Sequence, residues 1–453
     1  MSCITSLAWV PRGRLKELPD QGWNCPAGQA AGGASGGGSG PAAAAPAAAA
    51  AAAAARAAGN QNDLADFNLD GYDDLEHAHA FTEQLADGDP RIREHSGDDL
   101  DDYRFRPTDA VLLVGRTEDE LSSLEVHVYA EDTGGLYVHH DITLSAFPLC
   151  LEWIGAGSGL AQGGQNFVAV GSFDPAIEVW NLDVLDAFEP SAVLGGVAGT
   201  PGTGASSNEL VPGSHTDAVL GISWNARHPG TLASCSADGS AKLWDLSRAG
   251  ASACVATFGE LHSAKVQSVA WNPGEGDILA TAAFDKTIAV IDARMGLRGS
   301  GSSGAATAAA ALRFSLSADS ECLKWDPHNP AIISCSSEDG GVVAYDVRGT
   351  TPAPLWQIRA HDDSCTSISF AHHIPGLLCT ASVDGTIKLW NLTHQESNGA
   401  AGQPGTPLRI AEKHLGVGPI FGAQWYTDSS FVIGAGGGKG IVAIWDVPPD
   451  LVS

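Results

Sequence analysis

From Asp109 onward the chain is written in short apolar stretches broken by turns of Gly, Asn, Asp and Pro. Around Trp224 the order reads plainly. AVLGISW alternates as a strand, NARHPG turns, TLASCS is a second strand, ADGS a tight turn, AKLWDL a third strand and ACVATF a fourth. Alternation bounded by turn residues marks half-buried strands. In five places an aromatic or branched residue follows an earlier aromatic by twenty positions: Trp224 and Trp244, Trp271 and Ile291, Trp325 and Tyr345, Phe370 and Trp390, Trp425 and Trp445. A fixed offset repeated along a chain signals a small module that buries its apolar faces against its neighbours. Four short strands per module predict the blades of a β-propeller.

First strands end at Trp153, Trp224, Trp271, Trp325, Phe370 and Trp425, which makes six blades. Third strands carry Trp180, Trp244, Ile291, Tyr345, Trp390 and Trp445. The remaining blade is split. SCITSLAWV (2–10) reads as its first strand, while AVLLVGR (110–116) and LEVHVY (124–129) supply the second and third. The fold predicted is all-β, a seven-bladed propeller made of residues 1–10 and 108–447, with a long disordered acidic insertion in its first blade. Residues 21–59 read as a Gly/Ala-rich flexible spacer, too poor in apolar groups to offset its ordering entropy. Residues 60–107 read as an acidic, mostly disordered segment. The joints Ala192–Gly213, Gly296–Ala311 and Gln395–Thr406 are expected to be surface loops. The last blade lacks residues for a fourth strand, and Tyr103-Arg104-Phe105-Arg106 is the candidate donor.

Composition narrows the partners. The 453 residues include 53 acidic against 24 basic, a formal charge of −29. Gripping nucleic-acid phosphates needs Lys and Arg, so direct nucleic-acid binding is disfavoured and basic proteins are favoured. The nine cysteines contain no C-x-x-C pair and predict free thiols in a reducing compartment. The chain has neither the layout of a signal peptide nor an apolar run long enough to span a bilayer, so an intracellular, soluble protein is expected. Between Gln61 and Ala110, fifteen acidic residues face four arginines. Within that stretch DLADFNLDGYDDLE interleaves apolar residues with Asp. Asp63, Asp66, Phe67, Leu69, Asp70, Tyr72, Asp73 and Asp74 are therefore candidates for a short partner-binding element, the plainer reading being a solvated linker.

One repeated set resembles catalytic chemistry. Blade three has His215, Ser234, Asp238 and Trp244; blade six has His361, Thr380, Asp384 and Trp390 at the same offsets. Blade four keeps His262, Thr281 and Asp285 but has Ile291 in place of the indole. A hydrolase needs one nucleophile rather than copies. The set is read as a structural hydrogen-bond chain, Asp to His to hydroxyl to indole. The run GAGGGKG (434–440) lacks the spacing and the Ser/Thr of a phosphate loop and sits where the turn between strands two and three belongs. His127, His139 and His140 with Asp141 fall in or beside strands, and His77 and His79 lie among solvated acids. No catalytic, cofactor or metal site is expected, and the protein is read as not an enzyme.

SLAWVPRG, DLADFNLDGYDD, LEVHVY, YVHHDITLSAFPLCLEW and VAVGSFDPAIEVWNLD resemble the periodic tryptophan protein 1 family of WD-repeat proteins. Stretches such as LASCSADGSAKLWDL and LCTASVDGTIKLWNL are similar to WD repeats in general. The resemblance implies a nuclear, mainly nucleolar factor of ribosome biogenesis, acting in ribosomal RNA processing and large-subunit assembly. It also implies a link to chromatin and ribosomal-gene transcription. The expected partners are ribosome assembly factors or ribosomal proteins. Alternatives are a chromatin adaptor binding histone tails at ribosomal genes and a substrate receptor of a ubiquitin ligase. The Gly/Ala spacer departs from the family, and no basic cluster resembles a nuclear-import signal.

Overall fold

Second strands carry little polar–apolar alternation: FVAVGS (167–172), TLASCS (231–236), ILATAA (278–283), IISCSS (332–337) and VIGAGG (432–437) are buried at nearly every position. A strand covered on both faces by neighbouring sheets must be apolar or small on both, and Ala, Ser, Cys and Gly let those sheets approach. In the computed structural model, which describes residues 2–21, 104–160, 166–185, 187–197, 209–248, 252–294, 312–349, 353–396 and 406–451, the chain is a seven-bladed β-propeller.

Blade one is a four-stranded antiparallel sheet of Ser2–Val10, Ala110–Glu118, Leu121–Ala130 and Gly135–Leu144, in that order. Its innermost strand thus comes from the N-terminal segment, in a register running from Ser2 opposite Glu118 to Val10 opposite Val111. Blades two to six begin at Pro148, Val219, Val266, Ser320 and Ser367, and each has four strands. Blade seven has three: Ile420–Trp425, Val432–Gly437 and Val442–Asp446.

The ring closes where blade one meets blade seven. Ile4, Leu7 and Trp9 share an apolar cluster with Tyr426 and Val432. Trp9 packs on Tyr426 with ring centroids 4.7 Å apart, and its indole N–H donates to the Gln424 carbonyl at 3.0 Å. The glycines of GAGGGKG find their purpose here. A methyl on Gly436 would lie 2.4 Å from Ile4 Cγ2, and one on Gly434 would lie 2.9 Å from Trp9 Cζ2. Only glycine admits the N-terminal strand that close. The sequence position of this run predicts a turn, but Gly434–Gly437 belong to the second strand and only the last three residues turn.

Three further expectations are corrected. Ala192–Gly195 is not loop but the fourth strand of blade two, pairing with residues 176–179. The third and fourth strands of blade six extend as a hairpin to Glu396 and from Thr406, so residues 395 and 396 are strand as well. The described part of the proposed donor strand, residues 104–106, forms no strand. Phe105 instead buries itself against blades one and two, stacks on His139 at 4.1 Å and donates its N–H to the Glu17 carbonyl at 2.9 Å. An aromatic at that position gains more from an apolar slot than from an exposed edge. Asp20–Gln21 pairs in parallel with Val184–Leu185.

Candidate interaction surface

The hydrogen-bond sets come together blade by blade. In blade three His215 Nδ1 lies 3.0 Å from Asp238 Oδ2, His215 Nε2 lies 2.7 Å from Ser234 Oγ, and Trp244 Nε1 donates to that Oγ at 2.8 Å. The indole can only donate, which fixes the direction of the chain. The Ser234 hydroxyl therefore donates to Nε2, and the Nδ1 proton goes to Asp238. Blade six repeats this, with His361 to Asp384 at 3.0 Å, His361 to Thr380 at 2.8 Å and Trp390 to Thr380 at 3.0 Å. In blade four His262 reaches Asp285 at 3.1 Å and Thr281 at 2.9 Å. With Ile291 in place of the indole, the Thr281 hydroxyl has, besides the His262 ring, the Ala289 carbonyl at 3.5 Å.

Sequence reading missed a fifth member. Ser240, Thr287 and Thr386, each two residues after the Asp, bond its carboxylate at 2.6–2.7 Å. The repeated Asp-x-Ser/Thr was the available signal. Burial pulls each histidine below its ordinary pKa despite the neighbouring carboxylate. Burial also opposes ionisation of the aspartates, but bonds from the hydroxyls, from His and from backbone N–H groups outweigh it and hold all three carboxyls low. Each set is an ionised acid holding a neutral imidazole, with the hydroxyl bonded to the ring.

The first-strand aromatics face the axis. Trp9, Trp153, Trp224, Trp271, Trp325, Phe370 and Trp425, one per blade, line one end of the central channel in a cavity of 420 Å³. Trp271 donates to the Ser223 carbonyl at 3.1 Å and Trp325 to the Ala270 carbonyl at 3.1 Å. Trp9 makes the equivalent bond to Gln424, so the N-terminal strand reproduces the blade-to-blade contact where the ring closes. Glu152, Lys324 and Gln424 sit at the waist between this end and a second cavity of 490 Å³. Burial raises the pKa of Glu152, opposed by Lys324 and by the Trp224 N–H. At the far mouth Phe147 and Phe173 pack at 5.3 Å, and Phe173 and Phe421 are 60% and 41% exposed.

His127, His139 and His140 all lie in blade-one strands. His127 Nε2 bonds Glu125, and His139 Nδ1 approaches His140 Nδ1 at 2.8 Å. Among the described residues no group of three or more His, Cys, Asp or Glu could hold a metal ion. The eight described cysteines are free thiols. Among the described residues no helix is long and apolar enough to cross a membrane. In the turn of GAGGGKG, Lys439 bonds the Gly416 carbonyl. Asp63, Asp66, Phe67, Leu69, Asp70, Tyr72, Asp73 and Asp74 lie outside the described residues.

Comparison with known proteins gives matches to the WD domain, G-beta repeat, at residues 208–245, 252–292 and 352–391. The chain is 33% identical over 408 residues to an uncharacterised WD repeat-containing protein of Schizosaccharomyces pombe, covering 85% of this chain and 74% of that protein. It is 29% identical to periodic tryptophan protein 1 of Saccharomyces cerevisiae, covering 85% and 75%. It is 30% identical to the periodic tryptophan protein 1 homolog of Drosophila melanogaster, covering 75% and 70%. Among solved structures, a chain of the mitotic checkpoint complex shares the fold, with a TM-score of 0.52 at 16% identity over 74% of this chain and 84% of that one.

Proposed function

Since the chain belongs to the periodic tryptophan protein 1 family of WD-repeat proteins, we propose that it is a non-enzymatic scaffold of ribosome biogenesis. Its work is ribosomal RNA processing and large-subunit assembly, in the nucleus and nucleolus. One observation carries the non-enzymatic part: among the described residues, the His, hydroxyl and Asp constellations that recur are occupied by their own bonds. What the ring offers instead is two faces and a channel. Its net charge of −29 favours basic proteins over nucleic acid as direct partners. The acidic residues 63–74 act as the arm that recruits those partners to the ring.

Affinity purification of the full chain from nuclear extract tests this. Co-purified large-subunit precursors and basic assembly factors are the expected result. Nucleosomes alone would replace this function with a chromatin adaptor, and cullin adaptors alone with a ubiquitin-ligase receptor. Changing Asp63, Asp66, Asp70, Asp73 and Asp74 to Asn together should reduce recovery of precursors several-fold without lowering the melting temperature.

A further inference from the structure

In six blades a fourth strand covers the third, and the third is buried as a result. Ile288 to Ile291 in blade four and Val342 to Tyr345 in blade five are buried at every position. The equivalent strand of blade seven differs. Val442, Ala443 and Ile444 are only half-buried before the buried Trp445, and the preceding Ile441 is 50% exposed. Its inner edge pairs with Val432–Gly437, while among the described residues nothing pairs with its outer edge. Unpaired backbone N–H and C=O groups in a row are a template for one more strand.

The gap has walls. On one side Tyr129, in the third strand of blade one, donates its hydroxyl to Asp446 at 2.7 Å. Two residues back, and so on the same side of that strand, stands His127, 7% exposed, with an Nδ1 that has no hydrogen-bond partner among the described residues. Opposite these two in the outer strand are Leu136 and Val138; Leu136 packs on the same cluster as Val442 and Ile444, and Val138 is 47% exposed. On the other side, Ile410 and Ala411 of the outer strand of blade six pack on the cluster that includes Ala443, and the Lys413 ammonium sits 5.3 Å from the Trp445 ring centroid.

We propose that the missing strand of blade seven is supplied in trans, by an extended segment of a partner protein that is apolar at alternate positions and carries basic residues. Pairing with the edge would satisfy its backbone, and alternate side chains would fill the two walls. Charge selects the occupant. With 53 acidic against 24 basic residues, the chain repels an acidic segment. That disfavours its own residues 61–110, with fifteen acids, and equally a second copy. The proposal rests on the reading of the ring as a protein-binding scaffold, but it does not depend on ribosomal precursors being the partner.

The test is a photo-crosslinking residue, p-benzoylphenylalanine, at Ile441 of the full-length chain in cells, with the crosslinked peptides sequenced. The expected result is one stretch of another protein with alternating apolar residues and at least two Lys or Arg. Crosslinking should fall at least ten-fold in Ile444→Lys. In the purified complex, hydrogen exchange of residues 442–446 should slow relative to the free chain, a measurement that needs no variant. Crosslinks to residues 22–103, to a second copy or to scattered sequences would overturn the proposal, as would their absence. Sedimentation with large-subunit precursors is scored separately. Its loss while the crosslink persists would sink the ribosomal function and leave the edge intact.

Discussion

Asp238 accepts bonds from an imidazole, a hydroxyl and the Thr216 N–H, and so supports a chain that ends on a buried indole. Truncating it to Ala leaves the His215 Nδ1 proton without its strong acceptor, and an unsatisfied buried donor costs roughly 1–3 kcal/mol. We expect Asp238→Ala to lower the unfolding free energy by about that amount in denaturant titration; an unchanged midpoint would remove the set's structural role. The histidines also predict a pH dependence. Their folded-state pKa values lie below the unfolded value of about 6.5, so their contribution is complete above that pH. It is lost as pH falls and the unfolded chain takes up protons first. Relaxation of the charge of −29 works in the opposite sense, so the readout is a difference. The gap in melting temperature between wild type and His361→Asn should be widest above pH 7 and narrow towards pH 5. A gap independent of pH would show that His361 does not stay neutral when folded.

Strands and their order were legible because alternation and the aromatic period are local or repeated. His215, Asp238 and their counterparts were legible for the same reason, since copies at fixed offsets annotate one another. Contacts between distant, unrepeated segments were not. Nothing near Gly436 announces Ile4, and nothing near Phe105 announces His139. The shortage of a fourth strand in blade seven could be counted, but the destination of Phe105 depended on a slot formed by two other blades. These contacts make sharp predictions. Gly436→Ala forces a methyl against Ile4 and should cost about 1–3 kcal/mol. Adding Ile4→Ala should recover part of that in a double-mutant cycle, and strict additivity would deny the contact. Replacing residues 23–102 with a short Gly/Ser linker should shift the melting temperature by only a few degrees, because Glu17 and Phe105 already hold the two ends together. Collapse of the fold on that deletion would contradict the pinned entry and exit.

At the scale of the ring, a propeller must pack its last blade against its first, and here that contact is made by the segment farthest away in sequence. Trp9 and Gln424 are separated by 415 positions. Ser2–Val10 leaves the ribosome before anything else described, yet one of its two flanking sheets is made last. Until then the strand's outward side chains, Ile4, Leu7 and Trp9, have no blade seven to meet. Contacts of such long range slow folding, so a nascent chain would carry this sticky stretch uncovered through most of its translation. A chaperone that captures Ser2–Val10 would protect the growing protein better than one acting at any other described strand.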